Sequence, residues 1–219
     1  MLDNNLTASQ FFIVAVIPIL FAIVLHEVAH GWTAYKLGDR TAMMLGRLSL
    51  NPIKHIDPIG TILVPIVLYL TAGFIFGWAK PVPIDWRNLK NPKRDTALVA
   101  IAGPAANLAM ALFWGIIIFI ATSLSSGLSS FYAPLANMAA IGIFINILLM
   151  IFNLIPIPPT DGGRIAVSLL PANLGRLLSN IEPFGLLIIV FLIVSGFFSN
   201  FILPITNSLS IFIYEFFAI

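Results

Sequence analysis

The residues best suited to chemistry in this 219-residue chain are His26, Glu27 and His30, which form the pattern H-E-x-x-H. Residues four positions apart share one face of an α-helix, so both imidazoles can reach a single metal ion. Glu27 would lie near that ion without having to bind it. In zinc hydrolases with this pattern the metal acidifies a bound water, and the glutamate accepts the proton. The spacing therefore predicts a zinc site with Glu27 as the general base.

The helix that carries this pattern is predicted to lie in a membrane. Its apolar run extends from about residue 10 to 37, which exceeds the roughly 20 residues that span a bilayer. Thr7 and Gln10 are spaced as T-x-x-Q and can form the capping box that starts the helix. Ionisable residues inside an apolar helix are costly and usually functional, which favours a metal site over a chance match.

The composition supports the same environment for the whole chain. Hydrophobic residues make up 59% of the sequence and charged residues only 9%, whereas soluble domains carry about a quarter charged residues. The chain has too little polar surface to be soluble and needs a lipid bilayer around it. The formal charge of +2 gives no reason to expect a nucleic-acid partner, and the absence of cysteine excludes disulfides and thiolate ligands.

Four apolar runs are long enough to cross the membrane, and a fifth is ambiguous. The four cover about 10–37, 97–122, 132–153 and a long stretch from 184 toward the C-terminus. The last contains Pro204 and Asn207, so we expect one broken helix or two short ones there.

These runs predict an all-α polytopic membrane protein with about four to six transmembrane helices. We also expect a re-entrant or interfacial segment and a short membrane-associated extended loop. We predict a single integral-membrane domain over 1–219, with the catalytic core at about 10–172 and C-terminal membrane helices at about 184–219.

The ambiguous run, 58–77, is predicted to re-enter the membrane rather than to cross it. Basic residues flank it on both sides: Lys36, Arg40, Arg47 and Lys54 before it, and Lys80, Arg87, Lys90, Lys93 and Arg94 after it. Basic residues in short loops favour the cytoplasm, and a full crossing would separate the two groups. Pro65 and Gly73 could break the run in the middle. The N-terminus, which lacks Lys and Arg, is then expected outside.

Two residues compete for the place of third zinc ligand, which a catalytic site usually requires. Asp161 follows three prolines and precedes two glycines, on the side of the membrane where the metal helix ends. It could instead simply cap the helix that follows. His55 lies in a polar loop, where hydrogen bonding at the interface would explain it equally well. We favour Asp161, with His55 as the alternative.

Residues 78–84 cannot form a helix because prolines stand at positions 81 and 83. We predict an extended loop at the membrane surface, whose unpaired backbone groups could receive an unwound substrate as an added strand. The expected contact residues are Lys80, Pro81 and Val82. A plain interfacial turn anchored by Trp78 is the alternative.

Together these motifs closely resemble the site-2 protease family of intramembrane zinc metalloproteases, especially its short bacterial and archaeal members without extra soluble domains. The resemblance covers roughly 20–172, and the run 58–77 departs from the shortest family pattern. The matching motifs are His26-Glu27-Val-Ala-His30, Asn153-x-x-Pro156 with Asp161-Gly162, Gly103-Pro-Ala-Ala-Asn107, and the loop Gly77-Trp-Ala-Lys-Pro-Val-Pro83.

The resemblance implies that Asp161 is the third ligand of one Zn²⁺ per chain. It also implies that Asn153 and Asn107 lie close to the metal and help hold the scissile peptide. From the residues alone, Asn153 could merely cap a helix end, and Asn107 could serve close helix packing.

We therefore expect a zinc endopeptidase of a prokaryotic cell membrane that cleaves transmembrane protein substrates, as in regulated intramembrane proteolysis. A zinc transporter or sensor is the alternative, but it would need polar residues along a path through the bilayer. The helices after residue 97 offer few beyond Asn107 and Asn146. Other membrane H-E-x-x-H proteases, of the prenyl-protein or heat-shock type, would use a later glutamate ligand. Only Glu182 and Glu215 follow, and neither has a metal-site pattern around it.

The two candidate ligands make opposite predictions for metal content. Asp161→Ala should sharply lower the zinc bound by the purified protein, and His55→Ala should not, because only the first removes a ligand. Elemental analysis of both variants measures this. Loss of zinc from His55→Ala with retention by Asp161→Ala would reverse the assignment.

Overall fold

The computed structural model describes residues 7–72, 77–123 and 129–217, and no β-strand occurs among them. Four stretches are long and apolar enough to cross a membrane: Ser9–Leu37, Pro92–Ser123, Tyr132–Asn153 and Ala172–Val194. This confirms the prediction of an all-α polytopic membrane protein. The fourth stretch begins before the predicted residue 184 because two short helices precede the apolar one.

Helix α1 (Ala8–Leu37) begins and ends as its sequence predicts, and the short helix α2 (Thr41–Met44) follows it. Thr7 accepts a hydrogen bond from the backbone of Gln10, whose side chain bonds back to the Thr7 backbone, forming the predicted capping box. The helix ends at Gly38, whose φ of 120° suits glycine. His26 lies about 27 Å along the helix axis, nearer its C-terminal end.

Helix α4 (Pro92–Ser123) is the centre of the bundle. It packs against α1, α5 (Ser129–Asn153) and α6 (Asp161–Leu169). Its contact with α5 forms the largest buried apolar cluster, in which the indole of Trp114 covers the face of Gly142. Large apolar side chains are exposed on the outer faces of these helices, as expected for surfaces in contact with lipid.

The C-terminal region contains short helices: α7 (Ala172–Ser179), α8 (Gly185–Val194) and α9 (Leu203–Phe216), which a π-helical turn at Phe198–Ile202 precedes. The expected break is present, but it lies at Gly196, whose φ is 83°. Pro204 instead occupies the first turn of α9, where a missing backbone N–H costs least.

The 58–77 run begins and ends at neighbouring positions in the structure. It forms a π-helical turn (Pro58–Leu63) and helix α3 (Val64–Ala72), and the predicted break at Gly73 lies outside the described residues. The chain then returns to its starting point: the N–H of Trp78 donates to the carbonyl of Gly60 at 3.0 Å, and Thr61 Oγ1 donates to the carbonyl of Trp78 at 2.8 Å. The two ends lie side by side, which is the geometry that the predicted re-entrant or interfacial segment requires.

Because these two ends meet, we expect the residues before and after the segment to be accessible from the same side of the membrane. Single cysteines introduced as Lys54→Cys and Lys90→Cys, in a protein that otherwise has none, should react with an impermeant maleimide from the same side of the membrane. The distribution of basic residues predicts that this side is the cytoplasm. Labelling of the two positions from opposite sides would contradict the re-entrant path.

Candidate metal centre

Three side chains from two distant parts of the chain converge beside α4. His26 Nε2 and His30 Nε2 lie 3.0 Å apart, and Asp161 Oδ2 lies 3.2 Å from the first and 3.3 Å from the second. Both histidines are 7% exposed. Among the described residues, this is the only group of three or more His, Asp or Glu side chains that could hold a metal ion.

The other nitrogen of each imidazole faces a hydrogen-bond acceptor. His26 Nδ1 lies 2.6 Å from Asn107 Oδ1, and His30 Nδ1 lies 2.7 Å from the carbonyl oxygen of Val99. A carbonyl oxygen only accepts, so each Nδ1 carries the proton and each Nε2 of a neutral ring presents its lone pair. Metal-binding histidines are oriented by such partners in other proteins.

These three residues fit a zinc ion. The two Nε2 lone pairs and Asp161 Oδ2 point at one another, and Asp161 Oδ2 is buried without a hydrogen-bond donor. Such an arrangement of acceptors is repulsive unless a proton or a metal ion lies between the atoms. Two ligands of a tetrahedral zinc, each about 2.0–2.1 Å from the metal, are separated by roughly 3.3 Å, which matches the triangle described above.

Asp161 can face the histidines because Thr160 caps helix α6 in its place. Thr160 Oγ1 accepts the backbone N–H of Gly163 at 3.2 Å, so the carboxylate of Asp161, the first helical residue, is not needed as a cap. A side chain on Gly162 or Gly163 would overlap the backbone of the preceding loop. The two glycines therefore let that loop pack tightly against α6 and bring Asp161 to the metal helix.

Gly103 lets α4 approach the histidines. A Cβ atom at this position would overlap the rings of both His26 and His30. One turn later on α4, Asn107 reaches His26, so the G-P-x-x-N pattern contributes one residue that makes room and another that makes a bond. This explains in physical terms a motif that the sequence identified only by resemblance.

Asn107 is fully buried, and its amide is already engaged. Its Nδ2 donates to the carbonyl of Ala22 at 3.1 Å and to Asn146 Oδ1 at 3.0 Å, while its Oδ1 faces His26. Asn146 in turn donates to the carbonyl of Gly142. This geometry favours a role for Asn107 in orienting His26, rather than the predicted contact with a scissile peptide.

Two other candidates make no hydrogen bond to this cluster. Asn153, the last residue of α5, donates from Nδ2 to the carbonyl of Leu149 at 3.0 Å, and none of its hydrogen bonds joins the three cluster residues. His55 is buried in the 51–57 loop, where its Nε2 lies 2.9 Å from the carbonyl of Ser49. His55 is therefore not brought to the other histidines.

Glu27 lies beside the cluster but outside it. One of its carboxylate oxygens, Oε2, accepts the backbone N–H of Val82 at 2.7 Å. Val82 belongs to the non-helical 77–85 segment, which therefore contacts helix α1 beside the two histidines. An earlier residue of the segment is also anchored: the N–H of Lys80 donates to the carbonyl of His55 at 2.9 Å.

Asp39 holds the far end of the same segment. Its buried carboxylate accepts hydrogen bonds from the backbone of Asp85, the side chain of Asn88, and both the backbone and hydroxyl of Thr41. Burial alone would raise the pKa of Asp39, but these donors outweigh burial and lower it below its usual value. The carboxylate is therefore ionised at neutral pH and ties the segment to the end of α1.

Sequence reasoning missed two partners at this centre. It noted Asn146 only as a rare polar residue in a membrane helix, and that rarity was the available signal. The carbonyl of Val99 left no signal at all, since every residue has a carbonyl group.

The fold and this centre define a multi-pass helical membrane protein with a buried pair of histidines and a carboxylate that can hold a metal ion. A model of Peptidase family M50 matches residues 117–196. A protein named "Putative zinc metalloprotease YwhC", from Bacillus subtilis, is 40% identical over 195 residues, which cover 88% of this chain and 85% of that protein. The chain belongs to peptidase family M50, the site-2 protease family, and is by family a zinc metalloprotease.

A second relative is more distant. The protein named "Putative zinc metalloprotease Rip2", from Mycolicibacterium smegmatis, is 31% identical over 192 residues, which cover 84% of this chain and 68% of that protein. No solved structure is significantly similar to this chain. The relatives therefore support zinc as the metal.

The two possible roles of Asn107 can be separated by measuring zinc affinity. Asn107→Leu should weaken zinc binding about 10- to 100-fold, because it removes the group that orients His26. Asn153→Leu serves as the matched control and should leave the affinity unchanged. Competition with a chelator measures both. An unchanged zinc affinity in Asn107→Leu with a raised KM would instead support contact with the substrate.

Proposed function

We propose that this protein is a zinc-dependent intramembrane endopeptidase that hydrolyses peptide bonds within or near transmembrane segments of membrane-protein substrates. One observation carries the proposal. Glu27 stands next to a cluster suited to zinc on a membrane-spanning helix, yet its carboxylate is not part of that cluster. A base beside a metal, rather than bound to it, is what peptide hydrolysis by this motif requires.

In this proposal His26, His30 and Asp161 hold one zinc ion per chain. Three protein ligands leave a coordination position open, as in other catalytic zinc sites. When bound, zinc supplies Lewis acidity, which polarises the scissile carbonyl and makes a water more acidic. Asn107 and the Val99 carbonyl keep the two imidazoles in the orientation that this requires.

Glu27 performs the proton transfers. With Oε2 fixed by the Val82 amide, its carboxylate can accept a proton from the attacking water and deliver it to the leaving amine. General acid–base catalysis of this kind typically contributes about 10²- to 10⁴-fold to the rate. The reaction therefore needs no second acid from elsewhere in the chain.

The depth of the centre supports a substrate that is itself in the membrane. The two histidines lie within the apolar span Ser9–Leu37, and the helices around them expose apolar surfaces suited to lipid. We propose the cell membrane of a prokaryote as the location, with the N-terminus outside and the centre nearer the cytoplasm. A helical substrate must unwind there, because its carbonyl groups are otherwise hydrogen-bonded within its own helix.

The 77–85 segment is our candidate to receive the unwound chain. The backbone groups that it can offer for pairing differ from those expected from the sequence. The N–H groups of residues 78, 80 and 82 all point into the protein, in the alternation of an extended chain. The edge formed by residues 79, 81 and 83 then faces outward and has one N–H group, that of Ala79, since the other two residues are prolines. This edge would mainly offer carbonyl acceptors.

Fewer groups of Lys80, Pro81 and Val82 are therefore available to contact a substrate than the sequence predicts. The carbonyls of Lys80 and Pro81 accept hydrogen bonds from Arg47, at 2.9 and 3.3 Å. The Val82 N–H is used by Glu27. We propose that these residues contact substrate through the exposed Lys80 side chain and the second lone pair of the outward Pro81 carbonyl, rather than through their N–H groups.

A zinc transporter or sensor fits this arrangement less well. The buried amides that such a protein might line up along a path, Asn107 and Asn146, instead bond to each other at the metal centre. One of them also supports a metal-facing histidine. Both features favour a fixed catalytic ion over a moving one.

Replacement of Glu27 tests the proposal. Glu27→Gln should retain zinc and lower cleavage of a model transmembrane substrate by at least about 100-fold, because it removes the base and keeps the ligands. Glu215→Gln, at an exposed position on α9, is the matched control and should cleave normally. Near-normal turnover by Glu27→Gln would contradict hydrolysis by this site.

A further inference from the structure

We propose that the backbone N–H of Val82 is a positioning group that orients the general base Glu27 toward the metal centre. This inference rests on the proposed function and assigns a role to a residue otherwise expected to bind substrate. Its starting point is the 2.7 Å hydrogen bond from Val82 N to Glu27 Oε2. Val82 would act through Glu27 and would not itself touch the reacting atoms.

The Val82 amide is held in place by its own side chain. Val82 is only 5% exposed, and a Cβ atom on Gly31 would overlap the side chains of Val82 and Leu48. Gly31 lies four residues, or about one helical turn, after Glu27. The bare backbone at Gly31 therefore provides the space in which the valine packs, just beside the carboxylate.

The rest of the segment restrains the same amide from both directions. Before it, Trp78 and Lys80 donate their N–H groups to the carbonyls of Gly60 and His55. After it, the N–H of Asp85 donates to Asp39 Oδ2 at 2.9 Å. A donor with anchors on both sides loses little further freedom when it binds a carboxylate, so it can fix one rotamer of a glutamate side chain.

Pro81 and Pro83 flank this donor and have no backbone N–H groups of their own. A proline has no N–H group, so Val82 supplies the single backbone donor among residues 81–83. Neither residue adjacent to Val82 offers Glu27 an alternative backbone donor. A backbone amide is also a suitable group for the task, because it can orient a carboxylate without taking the proton that the carboxylate must carry.

The hydrogen bond also links the base to the re-entrant segment. Gly60 lies in the π-helical turn at Pro58–Leu63, and a side chain on it would overlap the indole of Trp78. A displacement of that turn would be passed along the 77–85 segment to Val82 and then to Glu27. The orientation of Glu27 thus depends on the position of the re-entrant segment.

An amide-to-ester replacement tests the role of this single donor. Incorporation of the α-hydroxy analogue of valine at position 82 removes the N–H and retains the side chain. The matched control is the α-hydroxy analogue of asparagine at position 91, which lies outside the 77–85 segment and removes a backbone N–H that donates to the buried Asp95 carboxylate at 2.8 Å. Both are made in the full-length protein, reconstituted in nanodiscs and loaded with zinc.

We expect the ester at 82 to lower kcat about 10- to 100-fold, the range for loss of one hydrogen bond to a charged group, with KM and zinc content unchanged. The ester at 91 should lower the melting temperature while its kcat stays within about threefold of the unmodified protein. Equal losses of kcat in both esters would mean that the loss reflects general destabilisation, and would overturn the inference. A raised KM with normal kcat, or a loss of zinc, in the ester at 82 would also overturn it.

An infrared measurement separates this inference from the proposed function. The carboxylate stretch of Glu27, identified as the band that disappears in Glu27→Gln, should shift in the ester at 82 and not in the ester at 91. An unshifted band would overturn the inference even if the protein cleaves substrate. If the unmodified protein cleaves no transmembrane substrate, the proposed function fails, and with it any catalytic role for the hydrogen bond that the shift reports.

Discussion

The structure depends on holding three lone-pair atoms, His26 Nε2, His30 Nε2 and Asp161 Oδ2, within 3.3 Å of one another inside an apolar bundle. Burying polar atoms without partners is costly, and pointing three acceptors at one place adds repulsion. A zinc ion reverses the sign of that interaction. The surrounding protein must therefore hold the ligands in place against their mutual repulsion and leave room for the ion between them.

Each neighbouring element meets part of this requirement. Helix α4 contributes the Val99 carbonyl and the Asn107 amide, which together fix the tautomers of both histidines, and Gly103, which makes space for their rings. Thr160 takes over the capping of α6, so Asp161 remains available. Helix α4 consequently lies at the centre of the bundle for both packing and electrostatic reasons.

A second set of contacts, made mainly by backbone groups, positions the general base Glu27. The 77–85 segment lacks regular secondary structure, but successive hydrogen bonds to Gly60, His55, Glu27 and Asp39 hold it along its length. Arg164, one turn after Asp161, stacks over Trp86 just beyond the segment and pairs with Glu182 near α8. The helix of the third candidate ligand therefore contacts the residue that directly follows the segment holding Glu27.

The sequence by itself determined the features that depend on local pattern. The H-E-x-x-H spacing placed two imidazoles on one helix face, apolar run length identified the spans, and the Thr7 capping box marked where α1 starts. The distribution of Lys and Arg also predicted that 58–77 returns to its own side, because charge placement responds to the membrane rather than to packing.

Only the tertiary structure decided which atoms from distant segments meet. It brought Asp161 rather than His55 to the histidines, because Thr160 took over the capping role that sequence alone could equally assign to the aspartate. It turned Asn107 toward His26 and the Val82 amide toward Glu27. An amide can bond to a substrate or to a neighbouring side chain with the same chemistry, so its partner is set by packing geometry, which residue types and spacing do not encode.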